Sequence, residues 1–277
     1  MKLVLLTLTM LLLRQSSTVP ARDASPGKGN AVLRKQASGG DVNAQVQLGL
    51  AYASGDGVTV DQAEAVAWFR KAADQGNADG EYYLGEVYAT GRGVPADYVE
   101  ALKWLRKSAY QGESRAQYNL AVLYTQGLGV GKDDSEAARW MRKAADQGLA
   151  AGQFGLGSMY AHGKGVEQNT TEAADWYRKA ADHGDTPAMN NLALLLATAD
   201  PKLRNPQEAI LLAARAVEAE PDNPVYLDTL ASTYSEDGQF DKAAEAERRA
   251  LALKPGNPSY EKTLQKYQAA KVNPKQK

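Results

Sequence analysis

The chain has 277 residues, 44% of them apolar and 23% charged, an ordinary globular composition with material for an extended core, so disorder is not the default reading. Its 32 Lys and Arg against 33 Asp and Glu leave a formal charge of −1, so no global field draws in nucleic acid or an anionic membrane, and a general nucleic-acid binder is disfavoured. Cysteine is absent, which excludes a disulfide framework, a thiolate metal site, a cysteine nucleophile and a lipid-attachment cysteine, and leaves stability to packing alone.

Met1 and Lys2, an apolar run from Leu3 to Leu13, then Arg14 with small and polar residues after it, have the composition of a secretory signal and are set aside from fold reasoning. The run spans eleven residues, whereas a membrane-crossing helix takes roughly twenty, so removal is favoured over an uncleaved anchor and no stable membrane insertion is expected afterwards. Val19-Pro20-Ala21 offers small residues where a signal peptidase inspects, which places cleavage after Ala21 and the mature protein in the periplasm or outside the cell. Residues 22–30, with Gly, Ser and Pro among them, read as a flexible leader.

Beyond the leader the sequence repeats. Leu48, Leu84, Leu120, Leu156 and Leu192 recur at a spacing of 36, as do Tyr52, Tyr88, Tyr124 and Tyr160, and all four tryptophans, Trp68, Trp104, Trp140 and Trp176. Each period reads as two helices. The first carries apolar or small residues at helical spacing, such as Ala44, Leu48, Ala51 and Tyr52, and stops at a Gly-x-Gly loop of the kind Gly55 and Gly57 form, where positive φ costs nothing. The second starts at a cap: Asp61 precedes Glu64, Asp97 precedes Glu100, Asp133 precedes Glu136 and Asn169 precedes Glu172, a spacing at which each side chain is expected to satisfy the other's free amide. It buries Ala65, Trp68, Phe69 and Ala72, sets Arg70 and Lys71 near its negative end, and closes at Gly76.

Leu48-Gly49-x-x-Tyr52, Gly55-x-Gly57-Val58, Asp61, Ala65, Trp68 and Ala72-Ala73-x-x-Gly76 resemble the Sel-one-like repeat, a branch of the tetratricopeptide superfamily. The resemblance covers four units, residues 41–184, with Ala121 for Gly, Asn169 for Asp and Ser108 for Ala as departures. It implies an all-α fold, a right-handed α-solenoid of Sel-like and tetratricopeptide helix-turn-helix repeats. Upstream, Leu33-Arg34-Lys35-Gln36-Ala37 aligns with the end of a second helix, so residues 31–40 read as an N-terminal capping half-repeat. Downstream, residues 185–221 are expected to form a hybrid unit that enters like a Sel-like repeat and leaves like a tetratricopeptide one. Residues 222–257 read as a tetratricopeptide repeat, and 258–277 as a C-terminal capping helix with a basic tail.

Chemistry-bearing constellations are few. The two histidines, His162 in a Gly-x-Gly loop and His183 at a helix end, read as surface residues, and no zinc or nucleophile-elbow motif is present. Some disulfide-rich relatives in the resembled family are linked to β-lactam binding, but the two Ser-x-x-Lys matches here, at Ser25 and Ser259, have no partner motifs and read as chance. No catalytic residue, metal ligand or cofactor is assigned.

If the tetratricopeptide pattern transfers, first helices line a groove and the residue two before each key Leu faces it: Val46, Tyr82, Tyr118, Phe154 and Asn190. Leu50, Glu86, Val122 and Leu194 lie four residues on, and Arg115 is also groove-facing. An aromatic stripe there either docks an extended segment or packs against the neighbouring unit. The leading expectation is an exported, non-enzymatic scaffold or adaptor that binds another protein or peptide. The alternatives are a β-lactam-binding or cell-wall hydrolase-like protein and a periplasmic modulator of a membrane sensor.

Overall fold

The computed structural model describes residues 28–198 and 201–272. The expected signal with its cleavage point after Ala21, most of the leader, Ser25 and the end of the basic tail lie outside the described residues. Fourteen α-helices, and no strand, occur among those described. The chain divides into two compact units, residues 1–140 and 141–277.

The first unit opens with α1 (Lys28–Ser38), whose first three residues fall within the expected leader. Then follow the hairpins α2 (Val42–Ser54) with α3 (Gln62–Asp74) and α4 (Ala78–Thr90) with α5 (Tyr98–Tyr110), then α6 (Ser114–Gln126) and most of α7 (Asp134–Asp146). The second unit continues with α8 (Ala150–His162), α9 (Thr170–Asp182), α10 (Thr186–Thr198), α11 (Pro206–Ala219), α12 (Pro224–Glu236), α13 (Phe240–Leu253) and α14 (Pro258–Val272). The repeated leucines explain the regularity: Leu48, Leu84, Leu120, Leu156 and Leu192 are all wholly buried, as are Ala65, Ala101, Ala137, Ala173 and Ala209 on the second helices. In the first unit Leu84, Phe69, Ala65 and Trp104 share one cluster and Leu48, Trp68 and Ala37 another. In the second, a single cluster runs from Ala173 to Tyr267.

Each hairpin is built from the same local parts. Gly91 ends α4 in the left-handed region at φ 71°, and its amide donates to Val87 O. Two residues on, Gly93 (φ 74°) lies so close to the start of α3 that an added Cβ would fall 2.3 Å from Gln62 O. The second glycine of the loop therefore serves packing between repeats as well as the turn. The loop closes when the cap amide donates back to the tyrosine carbonyl, Asp61 to Tyr52 at 2.9 Å and Asp97 to Tyr88 at 2.9 Å.

That last bond corrects the expected reciprocal cap. Asp97 Oδ1 accepts from Val99 N at 2.9 Å and Glu100 N at 3.1 Å, as a capping side chain should, but the Asp97 amide is already taken by Tyr88. Glu100 turns away instead and accepts from the Trp104 indole at 3.1 Å, and Glu136 does the same for Trp140 at 2.7 Å. In these two repeats the cap glutamate orients a buried tryptophan, whereas the Trp68 indole after Glu64 has no hydrogen-bond partner.

Successive repeats are pinned by two polar ladders. Arg106 on α5 donates to the hydroxyl of Tyr124 on α6 at 2.8 Å, Arg70 with Tyr88 and Arg142 with Tyr160 form the same bond, and Arg34 sits 5.6 Å over the ring of Tyr52. Buried Gln45 and Gln153 donate to carbonyls near the ends of the preceding second helices, Ala37 O at 3.1 Å and Ala145 O at 3.4 Å, which also accept from Gly40 N and Gly148 N. Their other side accepts from the far end of their own hairpin, Gln75 to Gln45 at 2.8 Å, with His183 against Gln153 at 3.0 Å. His183 is thus an exposed member of this ladder, and Ser108, a departure from the repeat pattern, donates to Ala78 O at 2.7 Å from a wholly buried position.

Candidate interaction surface

The first helices α2, α4 and α6 of the first unit carry seven of the ten residues expected to line a groove. Val46, Tyr82, Tyr118 and Val122 are buried, while Leu50 is exposed and Glu86 and Arg115 are half-buried. One position nearer the key leucine, Gln47 is exposed and Tyr83 partly open, whereas the equivalent Asn119 of α6 is buried. Tyr83 stays partly open because the wholly packed Phe69 of α3 fills the space beneath it, the two rings stacking at 5.0 Å. Gly49 makes room for Phe69 from the other side, since a Cβ there would fall 2.5 Å from its ring.

Arg115 is the hub of this face. Its Nε donates to Glu113 at 2.6 Å, Nη2 to Asp79 at 2.5 Å and Nη1 to the Tyr83 hydroxyl at 2.9 Å, and the guanidinium plane lies 4.4 Å from the centre of the Tyr82 ring. Burial would lower its basicity, but the bond to Glu113 and the charges of Glu113 and Tyr83 outweigh it and hold Arg115 above its ordinary range. Beside it, burial raises the Glu86 carboxyl, with Arg92, Tyr82 and Arg115 opposing, and burial with the Glu86 charge raises the Tyr82 phenol. The result is a preorganised patch of two tyrosines, one fixed cation and partly screened acids. Tyr83 and Asp79 were missed in the sequence. A signal existed for the second, since Asp79 and Arg115 occupy equivalent places of consecutive repeats with opposite charge.

In the second unit Phe154 on α8 packs on Tyr177 of α9, ring centres 5.7 Å apart, and is half-buried, as is Leu194 on α10. Asn190 is buried and donates to Asn191 Oδ1 at 3.4 Å, while its own Oδ1 has no hydrogen-bond partner. Ser259, the remaining Ser-x-x-Lys candidate, sits in the first turn of α14, where its amide is capped by Asn257 at 2.9 Å, and Asn169 serves as the cap of α9. No group of three or more His, Asp or Glu placed to hold a metal ion occurs among the described residues, and none of their helices is long and apolar enough to cross a membrane.

The family model for the Sel1 repeat matches residues 42–77, 78–113, 114–149, 150–185 and 186–220, the last being the unit read as a hybrid. Among solved structures the chain is similar to c5321, a protective antigen of uropathogenic Escherichia coli with an SLR fold, at 31% identity and a TM-score of 0.55, covering 84% of this chain and 57% of that one. It therefore spans little more than half of that protein. A Sel1 repeat protein from Oxalobacter formigenes is 29% identical with a TM-score of 0.64, covering 76% of this chain and 85% of that one. The likeness to a chain of the APC/C hetero-tetramer Cut9-Hcn1, 12% identical with a TM-score of 0.56 over 88% of this chain and 46% of that one, is one of fold alone. Comparison with curated proteins gave no match. Five matched units in register with the α-helical hairpins, and relatives built the same way, make this chain a member of the Sel1 repeat family, with the all-α helical-repeat fold that family shares with tetratricopeptide proteins.

Proposed function

We propose that the protein is an exported, non-enzymatic scaffold that holds another protein or peptide segment against the first-helix face of its N-terminal unit. Helical-repeat folds of this kind commonly serve as non-catalytic interaction scaffolds. The observation that carries the reading is the Arg115 hub: Tyr82, Tyr83, Asp79 and Glu113 fix one guanidinium on the face where Leu50 and Tyr83 remain open. A rigid aromatic and charged patch loses little entropy on binding, which is what an interaction hot spot requires. Export rests on the apolar run from Leu3 to Leu13 and the small residues before Arg22.

The test is a pull-down from the native host's envelope with Leu50→Asp and Tyr83→Ala, compared with Lys103→Ala on the outer side of α5. The reading expects both face variants to lose the partner retained by wild type and by Lys103→Ala. Equal retention by all of them contradicts it. Export is tested separately by sequencing the N-terminus of the protein recovered from the periplasm or medium, expected to start at Arg22.

A further inference from the structure

The second helices of the repeats serve as controls for one another at their solvent-facing positions. Among the described residues α3, α7 and α9 leave no large apolar side chain exposed and α11 leaves one, Leu211, whereas α5 leaves three, Tyr98, Val99 and Tyr110. Val99 stands where the equivalent helices have Ala63, Ser135 and Thr171, and Tyr110 where all of them have an aspartate, Asp74, Asp146 and Asp182. Val99 is 64% exposed and Tyr110 70%, the latter even with its ring edge-on to Trp140 of α7 at 5.2 Å. Water gains nothing from a valine and a tyrosine in such places, whereas a covering surface does.

Val99, Lys103, Arg106 and Tyr110 follow at steps of four, three and four, which sets them in one stripe along α5 with about 16 Å between its apolar ends. Lys107 lies beside the stripe, 4.3 Å over the Trp104 ring. Charge also separates this helix from its equivalents. On α5 Lys103, Arg106 and Lys107 face Glu100 alone, while α3 and α7 carry as many acids as cations and α9 carries more. A second copy of the stripe would meet it with like charge. An anionic bilayer is the poorer fit, because the whole chain carries −1 and the apolar row is one helix wide.

We propose that the outer stripe of α5 docks an acidic amphipathic helix of another protein, with apolar residues on Val99 and Tyr110 and carboxylates between them toward Lys103 and Lys107. This ligand is separate from the segment held on the first-helix face, and it is a different protein from the one that Leu50 and Tyr83 contact.

The test places a photoreactive residue at Val99 or at Tyr110 of the full chain in the native host, maps each adduct by mass spectrometry, and measures binding of a synthetic peptide of the mapped segment to the purified protein. Both positions should attach within one acidic segment of a single protein. The peptide should bind at least about tenfold more weakly to Val99→Ser with Tyr110→Asp, residues the next repeat already carries at these places, and to Lys103→Glu with Lys107→Glu. The second pair keeps the test open if the first fails to fold. Leu50→Asp should leave the peptide's affinity unchanged, which keeps this outcome apart from that of the first-helix face. No adduct, adducts only with lipid or a second copy, a neutral or basic segment, or affinity unchanged in both paired variants overturns the proposal.

Discussion

Arg106 and Tyr124 stand on different repeats, on α5 and α6, and are joined by a 2.8 Å bond from guanidinium to hydroxyl. The same pairing recurs at Arg70 with Tyr88 and Arg142 with Tyr160, so the tyrosine that marks each period is an acceptor for the repeat before it. Where Leu196 replaces the tyrosine, in the fifth Sel1 repeat, Arg178 turns to Glu208 at 3.0 Å. Tyr124→Phe should therefore cost about 1 kcal/mol in urea unfolding. A double-mutant cycle with Arg106→Ala should show that most of this loss is shared between the two positions.

The loop glycines separate two physical effects. Gly76 (φ 78°) has nothing within 4 Å of where a Cβ would stand, so Gly76→Ala meets only backbone strain, about 1 kcal/mol. Gly93 has a similar φ of 74° but would put that Cβ 2.3 Å from Gln62 O. Gly93→Ala should lower the melting temperature at least twice as far as Gly76→Ala, because the hairpin must also shift from α3.

The one-sided cap makes Asp97 and Glu100 distinguishable. Asp97→Ala exposes two first-turn amides and should cost about 1 kcal/mol with little change at Trp104. Glu100→Ala removes the acceptor of the Trp104 indole at 3.1 Å and should change the tryptophan emission of the folded protein, which Glu100→Gln should largely restore.

Asp185 caps α10 through Ala188 N at 2.8 Å, and burial raises its carboxyl to about 6 from 3.8, the cap bond opposing. A raised folded value means the native state holds a proton that the unfolded chain has released, so this residue's contribution to stability declines as pH rises from 3.8 through 6. Asp185→Asn keeps an acceptor without the buried charge. Melting curves from pH 4 to 8 should show the variant gaining on wild type across that range and holding its advantage at pH 7.

The period of 36 made the hairpins, the buried leucines and the glycine stops legible, because each is a requirement that recurs at the same place in every repeat. Glu100 and Glu136 were misread because their competing partner, the tryptophan indole four residues on, is decided by side-chain rotamers rather than spacing. On α4 the open tyrosine was misplaced for a similar reason. Tyr82 sinks against the Arg115 guanidinium at 4.4 Å while Tyr83 is propped up by Phe69, and only the size of that neighbour on α3 decides which tyrosine stays open. Glu247 of α13 left no trace in the pattern, since Asp241 and Glu245 on the same helix are exposed and only the packing of α12 and α14 sets Glu247 apart as buried.

Site-specific photocrosslinking in living host cells tests the scaffold most directly, with a photoreactive residue at Leu50 or Tyr83 and a control at Lys103. The account predicts that the first two positions yield the same adduct with one protein, that Lys103 does not, and that Arg115→Ala weakens both. Adducts of equal strength at all three positions, or at Lys103 alone, would contradict it.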